Sequence, residues 1–352
     1  MNTCKRAEWM LKIIAAGLFL VLAGCGDQSP VQVESISYLE WDGGIEVSNA
    51  ETRLVVVPAI GRIMHYSKAG GENLLWTNPE HYGETKPAGD YLSRGDSVIW
   101  ANFGGDKVWP TPQDLFEEIN GRAWPPDPWF DGARHEFERL KNGVRLISPV
   151  SDYCGAQVTR TIRLAESGSR VTIHQELTKR QQAQDEAVEP IPHTIWSVTQ
   201  IRNPEEALFR LNPDSHLGQR YAVFPFEPRA ADNFYSYDNL GVFIPDSIHA
   251  QKVGADSDKW LAAIIGHTVF GQFFDRQQNA TYPEGDLGAT VYTSPAYTEL
   301  ELLSPLQELK PGESMEYTIA WDITTLDTVT GADQRRQTAM SWLEEQATIP
   351  IE

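Results

Sequence analysis

Apolar and polar residues alternate along most of the chain, which is the pattern of β-strands with one buried face. The alternation is cleanest at residues 157–163 and 170–176, where β-branched side chains share one face. Turn signals such as Asn142-Gly143 and Pro311-Gly312 separate the strand-like runs. The other runs are residues 54–58, 144–148, 194–200, 261–265, 267–274, 289–292, 298–303 and 315–321.

Helical patterning is scarce. Residues 330–346 predict one terminal helix, and residues 114–119 predict a single turn. Strand after strand without intervening helices favours antiparallel pairing, so we predict an all-β fold with two packed sheets and a short C-terminal helix. The interior contains no polar linker long enough to divide domains, and we predict one domain over residues 35–352.

The N-terminal segment has the features of a bacterial lipoprotein signal peptide. A basic stretch precedes an apolar run, residues 13–24, which is shorter than the ~20 residues needed to span a bilayer. The run ends at Leu22-Ala-Gly-Cys25, which looks like a lipobox. We therefore expect cleavage before Cys25, a lipid on Cys25 that attaches the protein to a membrane, and a tether over residues 25–34. Because Gly26, not aspartate, follows Cys25, sorting to the periplasmic face of the outer membrane in the bacterial cell envelope is favoured.

Charge and cysteine content exclude several classes of partner. The formal net charge is −20, and it becomes −22 when residues 1–24 leave, because they carry three cations and one anion. Such an acidic chain argues against nucleic acid as a partner. Cys154 would be the remaining thiol after lipidation, so no internal disulfide is expected. No Cys/His cluster has zinc spacing, and we predict neither a metal nor a cofactor.

Residues 102–113 and 124–129 form an unusual segment rich in glycine, proline and tryptophan. Gly104-Gly105 permits positive φ and close approach to the backbone. The prolines remove N–H donors, which predicts a stiff loop and argues against a central strand. Indole faces beside Asp106 and Lys107 suit a sugar, because sugar rings have apolar faces and polar edges. Trp109 and Trp124 would equally suit a core, whereas the two charged residues would rarely be buried unpaired.

Several segments resemble one known superfamily when they are taken together. Val57-Pro-Ala-Ile-Gly-Arg-Ile-Met64, with Gly71-Glu-Asn-Leu-Leu-Trp76, is similar to the opening hairpins of galactose mutarotase-like (aldose 1-epimerase-like) proteins. Gly104-Gly-Asp-Lys-Val-Trp-Pro110 resembles a stretch of the hexose-6-phosphate epimerase branch. The segments 297–305 and 309–313 resemble the C-terminal signature, and residues 196–200 resemble an uncharacterised domain family of this superfamily. The resemblance covers about residues 35–325 and implies a β-supersandwich with a carbohydrate site in one sheet.

The resemblance also implies catalytic roles. In the mutarotase family a glutamate acts as base on the anomeric hydroxyl and a histidine acts as acid on the ring oxygen. Alignment on Pro305 places Glu301 at the base position, with Glu299 on the same strand face. Trp196 stands where the histidine is expected, which leaves His193 as the nearest candidate for the acid. Further candidates are His65, His174 and, as an electrostatic substitute, Lys107.

Other polar residues are candidates for contacts to a sugar. Arg62 would orient a hydroxyl or a carboxylate, or would pin the first hairpin. Gln200 has both a donor and an acceptor for a hydroxyl pair. Lys252 is a ligand contact or a solvated turn residue, and Asp127 accepts sugar hydroxyls or caps a local turn. The complete candidate set for ligand binding is Arg62, Asp106, Trp109, Gln113, Trp124, Trp196, Gln200, Lys252 and Glu299.

These observations predict a lipid-anchored carbohydrate-binding protein with weak or vestigial epimerase activity. One alternative is an active aldose 1-epimerase, or a related carbohydrate-acting enzyme, that uses Glu301 as base. A second alternative is a non-catalytic scaffold of the cell envelope, since no complete catalytic pair is evident.

Overall fold

The computed structural model describes residues 30–85, 100–184, 189–226, 232–246, 248–327, 329 and 331–351. The predicted signal peptide and Cys25 lie outside this part of the chain. The first strand begins at Gln32, so the last residues of the predicted tether belong to a sheet. Among the described residues, no helix is both long and apolar enough to span a membrane.

Two ten-stranded sheets dominate the described structure, and every strand pairing in them is antiparallel. In spatial order, sheet one contains β1 (Gln32–Tyr38), β2 (Trp41–Ser48), β3 (Thr52–Val57), β4 (Arg62–Lys68), β5 (Asp106–Trp109), β11 (Trp196–Ile201), β20 (Thr298–Leu303), β19 (Ala289–Thr293), β16 (Gln251–Ala255) and β13 (Tyr221–Val223). Sheet two contains β14 (Phe234–Tyr237), β15 (Leu240–Phe243), β12 (Glu206–Leu211), β17 (Ser257–Ile265), β18 (Thr268–Phe273), β22 (Ser314–Thr325), β9 (Val171–Lys179), β8 (Ala156–Leu164), β7 (Gly143–Ile147) and β6 (Glu136–Leu140). A separate pair joins β10 (Pro192–His193) to β21 (Gln307–Glu308). The predicted all-β antiparallel fold is confirmed.

Helical segments are short, apart from one at the C-terminus. They are α1 (Phe116–Asn120), α2 (Pro128–Asp131), α3 (Pro283–Asp286) and α4 (Ala332–Gln346), with 3-10 turns at Pro58–Ile60, Pro79–His81 and Gln113–Leu115. The predicted terminal helix is therefore correct. It packs Ala339 and Leu343 against an apolar cluster on sheet two that includes Trp260 and Phe273. The α3 segment is a left-handed turn, with φ values of 57° at Glu284 and 82° at Gly285.

The main core lies between the two sheets. Alternate residues of sheet one, such as Val56 and Leu300, belong to the same buried cluster as Ile173 and Ile319 of sheet two. This is the arrangement that period-two alternation produces when two sheets bury their facing surfaces. The intervening residues of β5, β11 and β20 therefore point to the opposite face of sheet one.

The segment predicted to be a stiff loop is partly a central strand. Residues Asp106–Trp109 form β5, which pairs with β11 and contacts β4, and the prolines begin only after the strand ends. The glycine inference is confirmed. Gly104 and Gly105 have φ values of 86° and 72°, and a Cβ on either would lie 2.4 Å from a backbone oxygen. The glycines let β5 enter the sheet at a crowded point, which sequence alone did not reveal.

Candidate functional site

A cavity of about 340 Å³ opens on the face of sheet one that is turned away from the core. Its floor is made by strands β11, β16, β19 and β20, and its wall is made by the segment around β5 and α1. The described lining combines six tryptophan and tyrosine side chains with two carboxylates and a lysine. The described lining residues are Trp100, Trp109, Gln113, Trp124, Trp196, Phe226, Lys252, Tyr292, Tyr297, Glu299 and Glu301.

Glu301 lies on the floor in the middle of β20. Its Oε2 accepts hydrogen bonds from Trp196 Nε1 at 3.1 Å and from Thr290 Oγ1 at 2.5 Å, both from neighbouring strands. Lys252 Nζ lies 3.4 Å from the same oxygen. Glu301 is thus built as a hydrogen-bond acceptor that faces the cavity.

Glu299 also lines the floor, two residues earlier on the same face of β20. Its Oε1 accepts hydrogen bonds from Gln200 Nε2 at 2.9 Å and from Lys107 Nζ at 3.3 Å. Burial raises the pKa of Glu299, although the positive charge of Lys107 opposes this effect. Burial likewise lowers the pKa of Lys107, against the attraction of Glu299. The two shifts bring the carboxyl group and the amine closer in proton affinity than they are in water.

Lys252 reaches into the cavity from β16. Its ammonium lies between the carboxylates of Glu301 and Glu284, at 3.4 and 3.5 Å, and about 5 Å from the ring centres of Trp196 and Phe224. Burial lowers the pKa of Lys252, but the surrounding carboxylates outweigh burial and raise it overall. The lysine is therefore a cation at the cavity surface.

Asp131 of α2 fixes the aromatic wall. Its carboxylate accepts hydrogen bonds from Trp100 Nε1 at 2.7 Å and from Trp109 Nε1 at 2.9 Å, and it pairs with Arg62 at 3.1 Å. Trp124 completes the wall by edge-on contacts with Trp100 and Trp109, with ring centres 4.9 and 6.0 Å apart. With 41% of its surface exposed, Trp124 leaves a ring free for a ligand.

Most predicted site residues lie on or just beneath this face. Trp109, Gln113, Trp124, Trp196, Lys252, Glu299 and Glu301 line the cavity. Lys107, Val198 and Glu301 are cross-strand neighbours and so share the face. Lys107 and Gln200 are fully buried, however, and contact Glu299 from below. Lys107 therefore acts on the cavity only through its contact with Glu299.

Asp106 is not a site residue. It precedes Lys107 in β5 and therefore points the other way, into the space between the sheets. There it pairs with Arg160 of β8 and accepts a hydrogen bond from Thr199 Oγ1 at 2.8 Å. The prediction failed because the segment was interpreted as a loop, in which neighbouring side chains are free to point in one direction.

Arg62 and Asp127 have the structural roles that were left open. Arg62 is fully buried and donates to the backbone oxygens of Asp131 and Gly104, so it pins the first hairpin to the wall and does not reach the cavity. Asp127 caps α2 by accepting from Trp129 N at 2.9 Å and bonds to Ser151. Burial raises the pKa of Asp127 to about 7.

The cavity has no histidine. All eight histidines belong to the described residues, and none lines it. His193 is buried in β10, where burial and the positive charge of Lys179 lower its pKa to about 4. His65 bonds to Tyr38 and Ser67, and His174 bonds to Thr318. His193, which was predicted as the catalytic acid, therefore does not line this cavity.

Sequence reasoning missed several residues that shape the cavity. Tyr292 lies two residues after Thr290 on β19. The core residue Val291 stands between them, so alternation along the strand could have placed Tyr292 on the cavity face. Tyr297 directly precedes the predicted Glu299 strand. Asp131 and Glu284 gave no local signal, because their partners are distant in sequence.

The fold is that of the galactose mutarotase-like proteins. A structure from Klebsiella pneumoniae named "putative aldose 1-epimerase" superposes with a TM-score of 0.53 at 10% identity, over 90% of this chain and 87% of that one. A "putative mutarotase" from Salmonella typhimurium has a TM-score of 0.49 at 11% identity, over 84% and 94%. A TPR-domain containing protein from Parabacteroides distasonis has a TM-score of 0.49 at 12% identity over 82% of this chain, which spans 49% of that larger protein.

The chain belongs to the family described as a domain of unknown function, DUF4380, whose model matches residues 44–324. No curated protein matches the chain. The predicted membership of an uncharacterised family within a mutarotase-like fold is consistent with both comparisons. At these identities the solved structures define the fold alone.

Proposed function

We propose that the protein binds a carbohydrate in the cavity of sheet one. The observation that carries this proposal is the combination of an aromatic wall with a floor of paired carboxylates. Trp124 offers an exposed ring to the apolar face of a sugar, with the partly exposed Trp100 and Tyr297 beside it and the buried Trp109 and Trp196 behind them. Glu299 and Glu301 offer acceptors, and Lys252 offers a donor, for its hydroxyl groups.

Anomer interconversion is a second candidate function. Glu301 Oε2 lies 3.4 Å from Lys252 Nζ, so a carboxylate and an ammonium face one small cavity. Acid–base work on a sugar needs a base and a group that stabilises the developing negative charge within reach of one ligand, and the raised pKa of Lys252 suits the second role. The wall and floor support binding whether or not this pair catalyses interconversion of the anomers.

Binding is tested on a glycan array followed by calorimetry. We expect the wild type to bind a neutral glycan and Glu301→Gln to bind it at least tenfold more weakly, since a charge-assisted hydrogen bond contributes about 1.5–3 kcal/mol. Glu316→Gln, an exposed glutamate on sheet two, is the matched control and should bind normally. The absence of any glycan ligand for the wild type would refute carbohydrate binding.

Polarimetry separates turnover from binding. The wild type is mixed with freshly dissolved single anomers of the sugar that it binds, and the approach to equilibrium is compared with buffer. Acceleration that disappears in Glu301→Gln supports an epimerase. If the wild type binds the sugar but does not accelerate the interconversion of its anomers, the epimerase function is refuted and carbohydrate binding remains.

We also propose that the protein is anchored to the envelope through a lipid on Cys25. The support is the sequence Leu22-Ala-Gly-Cys25 after an apolar run. Metabolic labelling with a radioactive fatty acid should mark the wild type and should not mark Cys25→Ser. Equal labelling of both proteins would contradict the anchor.

A further inference from the structure

The left-handed turn α3 carries a carboxylate that neither the sequence nor the proposed function assigned. Glu284 and Asp286 are non-glycine residues with φ values of 57° and 71°. Such conformations cost about 1–3 kcal/mol each and persist only where surrounding contacts hold them. The turn therefore needs anchors, and the structure supplies them.

The anchors of α3 are contacts of Asp286, whose partners are not among the residues that line the cavity. Asp286 Oδ1 accepts a hydrogen bond from Tyr282 N at 2.7 Å. Asp286 Oδ2 lies 3.3 Å from Arg276 Nη2 and 3.1 Å from His216 Nε2. Arg276 is itself held by the buried Asp256 and by the ring of Tyr282. These contacts fix the backbone from which Glu284 projects.

Glu284 projects toward Lys252, and its Oε2 lies 3.5 Å from Lys252 Nζ. Only 11% of the Glu284 side chain and 8% of the Lys252 side chain are exposed. Burial raises the pKa of Glu284, while the positive charge of Lys252 opposes the rise. The contact is thus a largely desolvated ion pair at the edge of the cavity.

The ammonium of Lys252 retains capacity to donate. Its distances of 3.4 and 3.5 Å to Glu301 and Glu284 lie at the long end for N–H···O hydrogen bonds, so neither carboxylate holds the ammonium at close range. An ammonium has three donors, and the rings of Trp196 and Phe224 flank it without accepting as a carboxylate would. A ligand oxygen in the cavity would therefore find a cation that is held in place and incompletely bonded.

We propose that Lys252 is the cation that donates to a ligand oxygen in this cavity, and that Glu284 is the positioning residue that holds it there. This inference rests on the proposed carbohydrate function for its ligand, and on geometry alone for the Glu284–Lys252 pair. The groups that face Lys252 are Glu301 and Glu299 of β20, Tyr292 of β19, Trp196 of β11, Phe224 after β13 and Glu284 of α3.

The pair is tested without any ligand by competitive acetylation of lysines with limiting acetic anhydride at pH 9 to 10, read by mass spectrometry. Loss of the Glu284 charge in Glu284→Gln should lower the pKa of Lys252 and raise its acetylation about threefold to tenfold, since one pKa unit is a factor of ten in the free amine. Lys259, which pairs with Asp275 at an exposed site, is the internal reference and should not change. Glu284→Asp keeps the charge on a shorter arm and should give an intermediate value. Unchanged acetylation of Lys252 in Glu284→Gln would overturn the positioning role.

The role in binding is tested with the glycan that the wild type selects. Glu284→Gln and Lys252→Met should each raise Kd about tenfold, and the double variant should be no worse than Lys252→Met, because both act through one ammonium. A normal Kd in Lys252→Met would overturn the inference while leaving carbohydrate binding intact. A wild type that binds no glycan would instead refute the proposed function and the ligand-donating role together, and the acetylation result would still decide whether Glu284 holds Lys252.

Discussion

Both faces of strands β5, β11 and β20 carry polar residues, but the two sets of residues have different roles. On the closed face, Asp106 and Thr199 meet Arg160 and Gln272 of sheet two in a buried hydrogen-bonded cluster. On the open face, Glu299, Glu301 and Lys252 surround a cavity. Asp106 and Lys107 are adjacent in sequence, yet they belong to different faces.

The difference lies in what covers the charges: the second sheet covers the Asp106 cluster, whereas a cavity opens over Glu299 and Glu301. Across the closed face, Thr199 donates to Asp106 at 2.8 Å and accepts from Gln272 at 2.7 Å, so the sheets are joined by short bonds. Across the open face, the contacts of Lys252 with its two carboxylates are 3.4 and 3.5 Å. A network sealed between two sheets specifies how the two layers align, whereas a network that lines a cavity leaves its groups within reach of a ligand.

The largest expected effect comes from breaking the closed face. Asp106→Leu leaves the guanidinium of Arg160 buried without its partner, which should lower the free energy of unfolding by about 3–5 kcal/mol. Urea denaturation measures the loss. Removing both charges in Asp106→Leu/Arg160→Leu should cost less than Asp106→Leu alone, because no unpaired charge remains. A loss below about 1 kcal/mol in the single variant would contradict the closed-face role.

The next largest effect concerns His193, which lies outside the open face. His193 is neutral in the fold, with a pKa lowered from 6.5 to about 4 by burial, so the unfolded chain binds the additional proton. Stability is therefore complete above pH 6.5 and is lost as the pH falls from 6.5 toward 4. His193→Leu should remove up to about 3 kcal/mol of that pH dependence. Denaturation at pH 7 and pH 4 measures it.

The same variant distinguishes the two regions. His193→Leu should bind the glycan normally at pH 7, because β10 lies outside the cavity. Weakened binding with unchanged stability would show that His193 reaches the site after all.

An intermediate effect is expected at the wall of the open face. Trp124→Ala removes a ring that is 41% exposed and should leave the free energy of unfolding within about 1 kcal/mol of the wild type. Truncation of an aromatic contact typically costs more than 1 kcal/mol of binding, so Kd should rise about tenfold. Calorimetry with the bound glycan measures it, and Trp124→Phe should retain most of the affinity. Equal affinity in Trp124→Ala would remove this ring from the site.

The smallest effect belongs to neither face. Arg202 and Glu72 form an ion pair whose side chains are 41% and 82% exposed. Arg202→Gln should change the free energy of unfolding by less than about 0.5 kcal/mol and should not affect binding. Thermal melts at low and high salt measure the change. A larger, salt-dependent loss of stability would contradict the small contribution expected of this exposed ion pair.

Alternation along the chain was sufficient to predict the two-sheet fold, because a period of two is a property of each strand by itself. Glu301 and Trp196 were located by the resemblance to the mutarotase family, and Glu299 by its place two residues earlier on the same strand face. Trp109 and Trp124 were located by the composition of their segment. The assignment of Asp106 failed because flanking glycines and prolines concealed a four-residue strand, and the face of a side chain depends on that strand. Asp131 and Glu284 were not predictable, since Arg62 lies 69 residues from Asp131 and Lys252 meets Glu284 only across the fold.

Asp131 ties together an aromatic wall that comes from one stretch of chain, residues 100–131, whereas the carboxylate and lysine floor comes from strands scattered over residues 196–301. Wall and floor are thus supplied by separate stretches of the chain. Substitutions within the single wall segment can reshape the cavity mouth while the strand registers that hold Glu299 and Glu301 stay unchanged. A variant of this chain with a different wall segment would therefore have a cavity of another size and shape above the same polar floor.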